Sequence, residues 1–286
     1  MRLAVTRVIV VNSRYHFYPA LPLGVPFDHI ASFDSLFTKS LIGQLQRKQV
    51  WRYLQYITPQ LNGLEILELN CGSNEDAMLF SEKGVNLVAT DISEEMLKIT
   101  TVRANQYSMQ NRISSQFLDP ESFDETVFDK KFDLIFSNFG GLNCLHPEAV
   151  KRLMHNLPSI LAPGGRFVAI VTPKFCLWES LFFMSRFRFR QAFRRNTSQE
   201  TIVQLGSATF KSWYYNPAQI TKWSEDRFNV IRKIPVGLST PPVALESKFL
   251  NRKPFVFRLS RWGKRFESSS LLAGIADNFL IDLQLK

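Results

Sequence analysis

One stretch constrains this chain more than any other. Residues 64–74 read Leu-Glu-Ile-Leu-Glu-Leu-Asn-Cys-Gly-Ser-Asn, and Ala89-Thr90-Asp91 follows one helix later. This is the pattern of a buried strand, a tight turn, a helix, and a second strand ending on an acid. Such a unit places the adenosine of a cofactor at the carboxyl end of a parallel sheet. The turn narrows the choice of cofactor. A dinucleotide fingerprint, G-x-G-x-x-G, laid from position 70 needs glycine at 70, 72 and 75. The chain has Asn70, Gly72 and Glu75. A carboxylate then sits where a pyrophosphate needs amide donors. The turn disfavours a nicotinamide dinucleotide and better suits a cofactor that carries positive charge, as S-adenosylmethionine does.

Strands and helices alternate around this unit. Ser40 to Ile57 reads as a helix, with Leu41, Leu45, Val50, Leu54 and Ile57 near helical spacing and Arg47, Lys48 and Arg52 off that stripe. Leu64–Leu69 is the first strand of the alternation. Asn74–Lys83 is helical and stops at Gly84. Asn86–Asp91 is the second strand. Ser93 caps a helix whose first turn holds Glu94 and Glu95. Ile113–Leu118 and Phe132–Asn138 are the third and fourth strands. Pro147 opens a helix running to about Leu161. Pro163-Gly164-Gly165 then turns the chain into a fifth strand, Arg166–Thr172. Pro217–Asp226 reads as a helix, Phe228–Val236 as a strand and Ala276–Gln284 as a final strand. Strands joined through helices imply right-handed crossovers and a parallel sheet.

At 286 residues the chain can bury a full core, and its 45% hydrophobic and 21% charged residues are ordinary for a globular protein. Cys71, Cys144 and Cys176 are odd in number and widely spaced, so they form neither a metal pattern nor a disulfide framework. That usage favours a reducing, cytoplasmic setting. No apolar run approaches the roughly 20 residues of a membrane span. The net charge of +10 is uneven. Residues 1–173 hold 16 Lys/Arg against 17 Asp/Glu, and residues 174–266 hold 18 against 5. The basic section can attract an anionic lipid, a nucleic acid or an acidic substrate, or can be a solvated surface.

With these elements in hand, the chain resembles the class I S-adenosylmethionine-dependent methyltransferases over roughly residues 27–172, in the manner of their small-molecule branch. Glu68-Leu69-Asn70-Cys71-Gly72-Ser73-Asn74 is similar to the family's E-x-G-x-G-x-G loop, with Asn at the first and third glycines. Asn tolerates left-handed backbone, so the turn remains feasible. Phe33-Asp34 and Gln46-Arg47 resemble the lead-in of that branch. The resemblance implies an α/β, Rossmann-like three-layer sandwich with a mostly parallel seven-stranded sheet, a final antiparallel strand and a helical, aromatic cap. It divides the chain into an N-terminal arm (1–26), an S-adenosylmethionine-binding core (27–173), a cap or lid (174–215) and a C-terminal completion of the sheet (216–286).

The same resemblance assigns roles. Glu68, Asn70 and Gly72 would hold the methionine end of S-adenosylmethionine. Asp91 would accept from both ribose hydroxyls, Asp119 would meet the adenine amino group, and Asn138 would lie beside the sulfonium. Each has a local alternative: Asp91 and Asp119 as turn or helix-cap residues, Asn138 as a partner of loop backbone. No metal is implied. His146 and Glu179 are the best proton acceptors near the expected mouth, with the competing readings of a helix cap before Pro147 and a solvated helix residue.

The acceptor is read from residues 174–215, which hold 11 of the chain's 37 aromatic residues. Trp178, Phe182 and Phe183 are expected to line an apolar acceptor pocket. The arginines between 186 and 195 are expected at its rim. This suits a small aromatic or lipidic acceptor, with peripheral membrane contact through 175–195. The competing readings are a methyltransferase that binds RNA through the basic section and a cofactor-binding protein without catalysis. The Ser137-Asn138-Phe139 end of strand four lacks the paired prolines of enzymes that methylate nucleic acid bases, which disfavours nucleic acid.

Overall fold

The computed structural model describes residues 38–72, 74–123, 126–205 and 208–286. The expected arm at 1–26 and the Phe33-Asp34 lead-in lie outside the described residues. Nine strands are described: β1 (Glu65–Leu69), β2 (Asn86–Asp91), β3 (Ile113–Phe117), β4 (Phe132–Ser137), β5 (Leu161–Val171), β6 (Thr201–Leu205), β7 (Ala208–Ser212), β8 (Phe228–Val236) and β9 (Asn278–Leu285). Seven of them form one sheet in the order β3-β2-β1-β4-β5-β9-β8. β1 to β5 pair in parallel, and β9 runs antiparallel to both β5 and β8. The expected Rossmann-like, mostly parallel sheet is therefore present.

The sequence alternation explains the layers. Successive strand residues point to opposite faces. Leu67, Leu69, Ile135, Phe167 and Ile281 face one core, while Ile66, Leu134, Phe136, Val168 and Leu280 face the other. The first core is closed by α4 (Pro147–Asn156) and α7 (Pro217–Ser224). The second is closed by α1 (Leu41–Ile57), α2 (Glu75–Ser81) and α3 (Glu94–Gln106). Caps fall where the sequence puts them. The Ser40 side chain accepts from the Gly43 N–H, and Ser93 accepts from Met96. Arg47 departs from the expectation that it sits off the buried face: it is 5% exposed, because an acidic partner waits beneath the helix.

The strand order reverses between β1 and β4. From β1 the chain steps outward to β2 and β3, then returns to place β4 and β5 on the other side. Such a switch point opens a crevice at the carboxyl ends of the two strands.

Two local expectations need correction. Pro163-Gly164-Gly165 does not precede β5 but bulges within it: Phe132 pairs with Leu161 and Leu134 already pairs with Arg166. A side chain at 165 would meet the Ala162 carbonyl oxygen at 2.8 Å, so only glycine fits the bulge. The C-terminal section does more than complete the sheet. Between β8 and β9 it builds α8 (Lys253–Gly263) and several one-turn helices. Within 174–215 lie α5 (Leu177–Met184), α6 (Phe189–Ala192) and the β6–β7 hairpin.

Candidate active site at the sheet switch point

Four of the sequence-selected residues converge on the crevice. β1 ends at Leu69, and the next residue, Asn70, takes a left-handed conformation with φ 57°. Gly72 and Asn74 are also left-handed, at 51° and 66°. Three such residues in five bend the chain sharply out of the sheet and into α2. Glycine or asparagine is what such positions accept, which explains Asn at the two altered loop positions.

Asp91, at the end of neighbouring β2, fixes this loop. Its Oδ2 accepts from the Gly72 N–H and its Oδ1 from the Ser93 N–H, both at 3.0 Å. Burial pushes the Asp91 carboxyl above its ordinary value, while bonds from Ser93, Gly72 and Ile92 pull it back. The carboxylate is thus a backbone anchor as well as a candidate ligand.

Glu68 is 1% exposed on the α1–α2 side of β1. Burial, then Asp76, drives its carboxyl well above the normal range; Arg47 opposes this and Asp91 adds to it. Its Oε2 has no hydrogen-bond partner, nor do Asn70 Oδ1, Ser137 Oγ or either polar atom of the Asn74 side chain. The crevice walls approach closely here. A side chain at Gly141, after β4, would fall 2.7 Å from both Asn70 Oδ1 and Ser137 Oγ. Buried polar groups are almost always satisfied. Glu68 Oε2 and Asn70 Oδ1 are acceptors open to a donor-bearing ligand, while Asn74 Nδ2 and Ser137 Oγ can donate to one.

The residue that organises the site was not singled out in the sequence. Asp76, in the first turn of α2, accepts from Arg47, from Trp51 Nε1 at 2.7 Å and from Asn138 Nδ2 at 2.5 Å. Burial alone would lower the Arg47 guanidinium, but Asp76, Glu75 and Glu68 outweigh it and raise its pKa. Glu75 meets Arg103 at 3.2 Å. Four carboxyl groups, Glu68, Glu75, Asp76 and Asp91, therefore gather around two guanidiniums. The sequence signal was an acid pair opening α2, which reads first as helix-dipole compensation.

The other expected residues fare differently. Asn138 is held at both ends of its amide, donating to Asp76 and accepting from the Phe139 N–H. Asp119 serves its own turn, accepting from the Glu121 N–H at 2.9 Å and from Ser122 Oγ at 3.1 Å. His146 is the N-cap of α4: its Nδ1 accepts from the Glu148 N–H, and its ring meets Trp213 edge-on at 5.6 Å. Glu179 is not a solvated helix residue. It is buried at the start of α5, and Arg194 and Arg195 donate to its two oxygens. Arg195 is buried too, against the expectation of a rim, because it also donates to Asp277 Oδ1 at 2.9 Å. Both proton-acceptor candidates thus have structural work that accounts for them.

A second feature lies at the carboxyl ends of β5 and β8. An apolar cavity of about 550 Å³ is walled by Leu177, Trp178 and Phe182 of α5 and by Leu259 and Trp262 of α8. Phe183 packs edge-on against Phe182 at 5.3 Å, behind this wall.

Residues 66–165 match the model of the methyltransferase domain family, and the fold is that of solved S-adenosylmethionine-dependent methyltransferases. Among particular proteins, the chain is similar to a demethylmenaquinone methyltransferase of Clavibacter sepedonicus, 28% identical over 145 residues, which are 50% of this chain and 54% of that protein. It is also similar to a malonyl-[acyl-carrier protein] O-methyltransferase of Pectobacterium atrosepticum, 26% identical over 43% of this chain and 44% of that one. The chain thus spans about half the length of the curated relatives it matches. In structure it resembles the magnesium protoporphyrin IX methyltransferase of Synechocystis, solved with S-adenosylhomocysteine bound, with a TM-score of 0.56 and 13% identity over 90% of this chain and 94% of that one. At that identity the likeness is one of fold.

Proposed function

We propose that the chain is an S-adenosylmethionine-dependent methyltransferase acting on a small apolar or aromatic acceptor. One observation carries the reading: buried acceptors without donors, on Glu68 and Asn70, stand beside Asp91 at the switch point of a carboxyl-rich crevice. The residues fit a cofactor that brings an ammonium, a sulfonium and two ribose hydroxyls, all donors or cations. Glu68 and Asn70 would hold the ammonium end. Asp91 would take the ribose hydroxyls, and Gly72 keeps the loop close to it. Asp119 and Asn138 are positioned by local bonds and would act by shaping the adenine and sulfonium ends. The cofactor supplies the electrophilic methyl group. What this chain supplies is alignment of an in-line displacement and exclusion of water by the cap.

A relative named for methylating demethylmenaquinone supports a small, apolar acceptor. So does the cavity under α5. With His146 and Glu179 both in structural roles, no general base is assigned, and the acceptor atom stays open among O, N and C. The test is calorimetric titration with S-adenosylhomocysteine and with NAD. Binding of the first and not the second is expected; tight binding of the dinucleotide alone refutes the reading.

A further inference from the structure

Among the described residues, exposed apolar side chains are frequent on α5 and α8, which line the cavity, and on α6. Phe187 is 84% exposed in the turn between α5 and α6, and Leu271 is 93% exposed beyond α8. Leu181, Phe189, Phe255 and Trp262 on the same three helices are exposed as well. The helices are brought together by the cavity, since α5 and α8 form its facing walls. Trp178 and Phe182 also meet Phe249 from the α8 side, at 6.0 and 6.2 Å.

Charge marks the same face. Residues 180–199 hold five arginines and no acid, of which Arg194 and Arg195 are taken up by Glu179, and residues 247–266 hold seven Lys/Arg and no acid. Arg186 lies over the Phe182 ring at 3.7 Å, so a cation and a cavity wall share the mouth. A basic surface alone would suit nucleic acid. Bulky apolar tips standing free in water among the cations do not, because Leu271 and Leu181 offer no ring to stack on a base. Aromatic and aliphatic tips among Lys and Arg are the composition of a surface that lies in a lipid headgroup layer.

We propose that the α5–α6 and α8 face seats on an anionic bilayer, and that the cavity between α5 and α8 receives the apolar chain of the methyl acceptor from it. The proposal rests on the methyltransferase reading above and specifies its acceptor. β5 adjoins β4, and β9 and β8 lie two and three strand spacings of about 4.8 Å from it, so the strand ends beneath the cavity lie roughly 5–15 Å from β4. An acceptor that fills both crevice and cavity has a reactive head by Asn138 and Phe139 and an apolar tail between α5 and α8.

Three measurements test this. Sedimentation with vesicles of phosphatidylcholine, alone or mixed with phosphatidylglycerol, should show binding to the mixed vesicles that weakens with salt. Phe187→Ser with Leu271→Ser should weaken that binding roughly tenfold or more. Both sites are exposed, so titration with S-adenosylhomocysteine should not change. Ser185→Trp, at the cavity mouth, should abolish the fluorescence enhancement of cis-parinaric acid while vesicle binding persists. Intact S-adenosylhomocysteine binding with no vesicle binding overturns this proposal and leaves the methyltransferase reading standing. Vesicle binding without S-adenosylhomocysteine binding refutes the methyltransferase reading and with it the assignment of the cavity to a methyl acceptor, and leaves only the membrane seat standing. Single-stranded RNA displacing the protein from vesicles overturns the membrane assignment, and unchanged parinaric acid binding in Ser185→Trp overturns the cavity's role.

Discussion

Replacing Asp91 by Asn removes a charge while keeping the shape, and the structure lets its two consequences be separated. In the folded chain the carboxylate holds two backbone donors, Gly72 N–H and Ser93 N–H, each at 3.0 Å. An amide accepts one of them and turns its NH2 toward the other. One backbone donor left facing a donor costs about 1–3 kcal/mol. Part of that is offset, because burial already penalises the charge at Asp91 and the substitution removes the charge. A net loss of about 1 kcal/mol is expected, which lowers Tm by about 2–4 °C in a domain of this size. The ligand should feel more. A carboxylate can accept from both ribose hydroxyls, and an amide oxygen alone cannot serve both at the same time as a backbone donor. Losing one bond to a charged acceptor costs about 1.5–3 kcal/mol, or roughly 10- to 100-fold in Kd. Thermal unfolding by circular dichroism and calorimetry with S-adenosylhomocysteine measure the two effects on the same sample. If Asp91→Asn lowers Tm while the affinity stays unchanged, Asp91 is a loop anchor and its cofactor role is wrong.

Glu68→Gln should stabilise the free protein at alkaline pH and weaken S-adenosylhomocysteine binding. Burial raises the folded-state pKa of Glu68 above its ordinary 4.5 and that of Asp91 above 3.8, so the folded state holds more protons than the unfolded one above about pH 4. Their contribution is fully present below that pH and is lost as pH rises through the folded values; urea midpoints against pH should show wild type falling more steeply than Glu68→Gln. Arg195→Met should destabilise by about 3–5 kcal/mol, since it leaves buried Glu179 and Asp277 short of their shared cation, and a urea midpoint within error of wild type would contradict this. His146→Ala should cost about 0.5–2 kcal/mol as a lost helix cap, with turnover per folded enzyme unchanged; a loss of about 100-fold or more in the folded variant would reinstate His146 as a base.

What was legible in the sequence was local. Strand runs, the Ser40 and Ser93 caps and the strained loop at 70–74 depend on residues within one or two turns of each other. They came through because backbone sterics decide them: Asn70 and Asn74 are left-handed for the same reason that glycine would be. The acids at strand ends were legible as positions, but their partners were not. Asp119 closes its own turn, whereas Asp76 collects donors from α1 and from the loop after β4, 25 to 62 residues away in sequence. Glu179 looked solvated because its arginines stand 15 and 16 residues on and its wider network reaches Asp277. α8 escaped notice for a different reason. Its apolar residues do not face the core: Val256 and Gly263 are buried, while Phe255 and Trp262 remain at the surface, so no core-facing stripe announces the helix.

The two halves of the site meet on a single turn of α1. Gln46 donates to Asp277 Oδ2 at 2.9 Å and accepts from Asn278 Nδ2 at 3.1 Å, and a side chain at Gly237 would fall 2.4 Å from its amide nitrogen. Asp277 in turn holds Arg195, which holds Glu179 at the root of α5. The next residue, Arg47, pairs with Asp76, which holds Asn138 beside the crevice. The cavity wall and the cofactor loop are thus referenced to adjacent residues of one buried helix. Apolar packing could have supplied as much stability, since a buried ion pair repays its desolvation only in part. What it could not supply is register: a half-satisfied polar network is costly, so these groups fit in one arrangement or pay the full penalty. Displacement at a sulfonium requires nucleophile, methyl and leaving sulfur in line, and a misplacement of about 1 Å can cost roughly 100-fold in rate. A network that fixes the cap against the cradle is the form of rigidity that such a reaction needs.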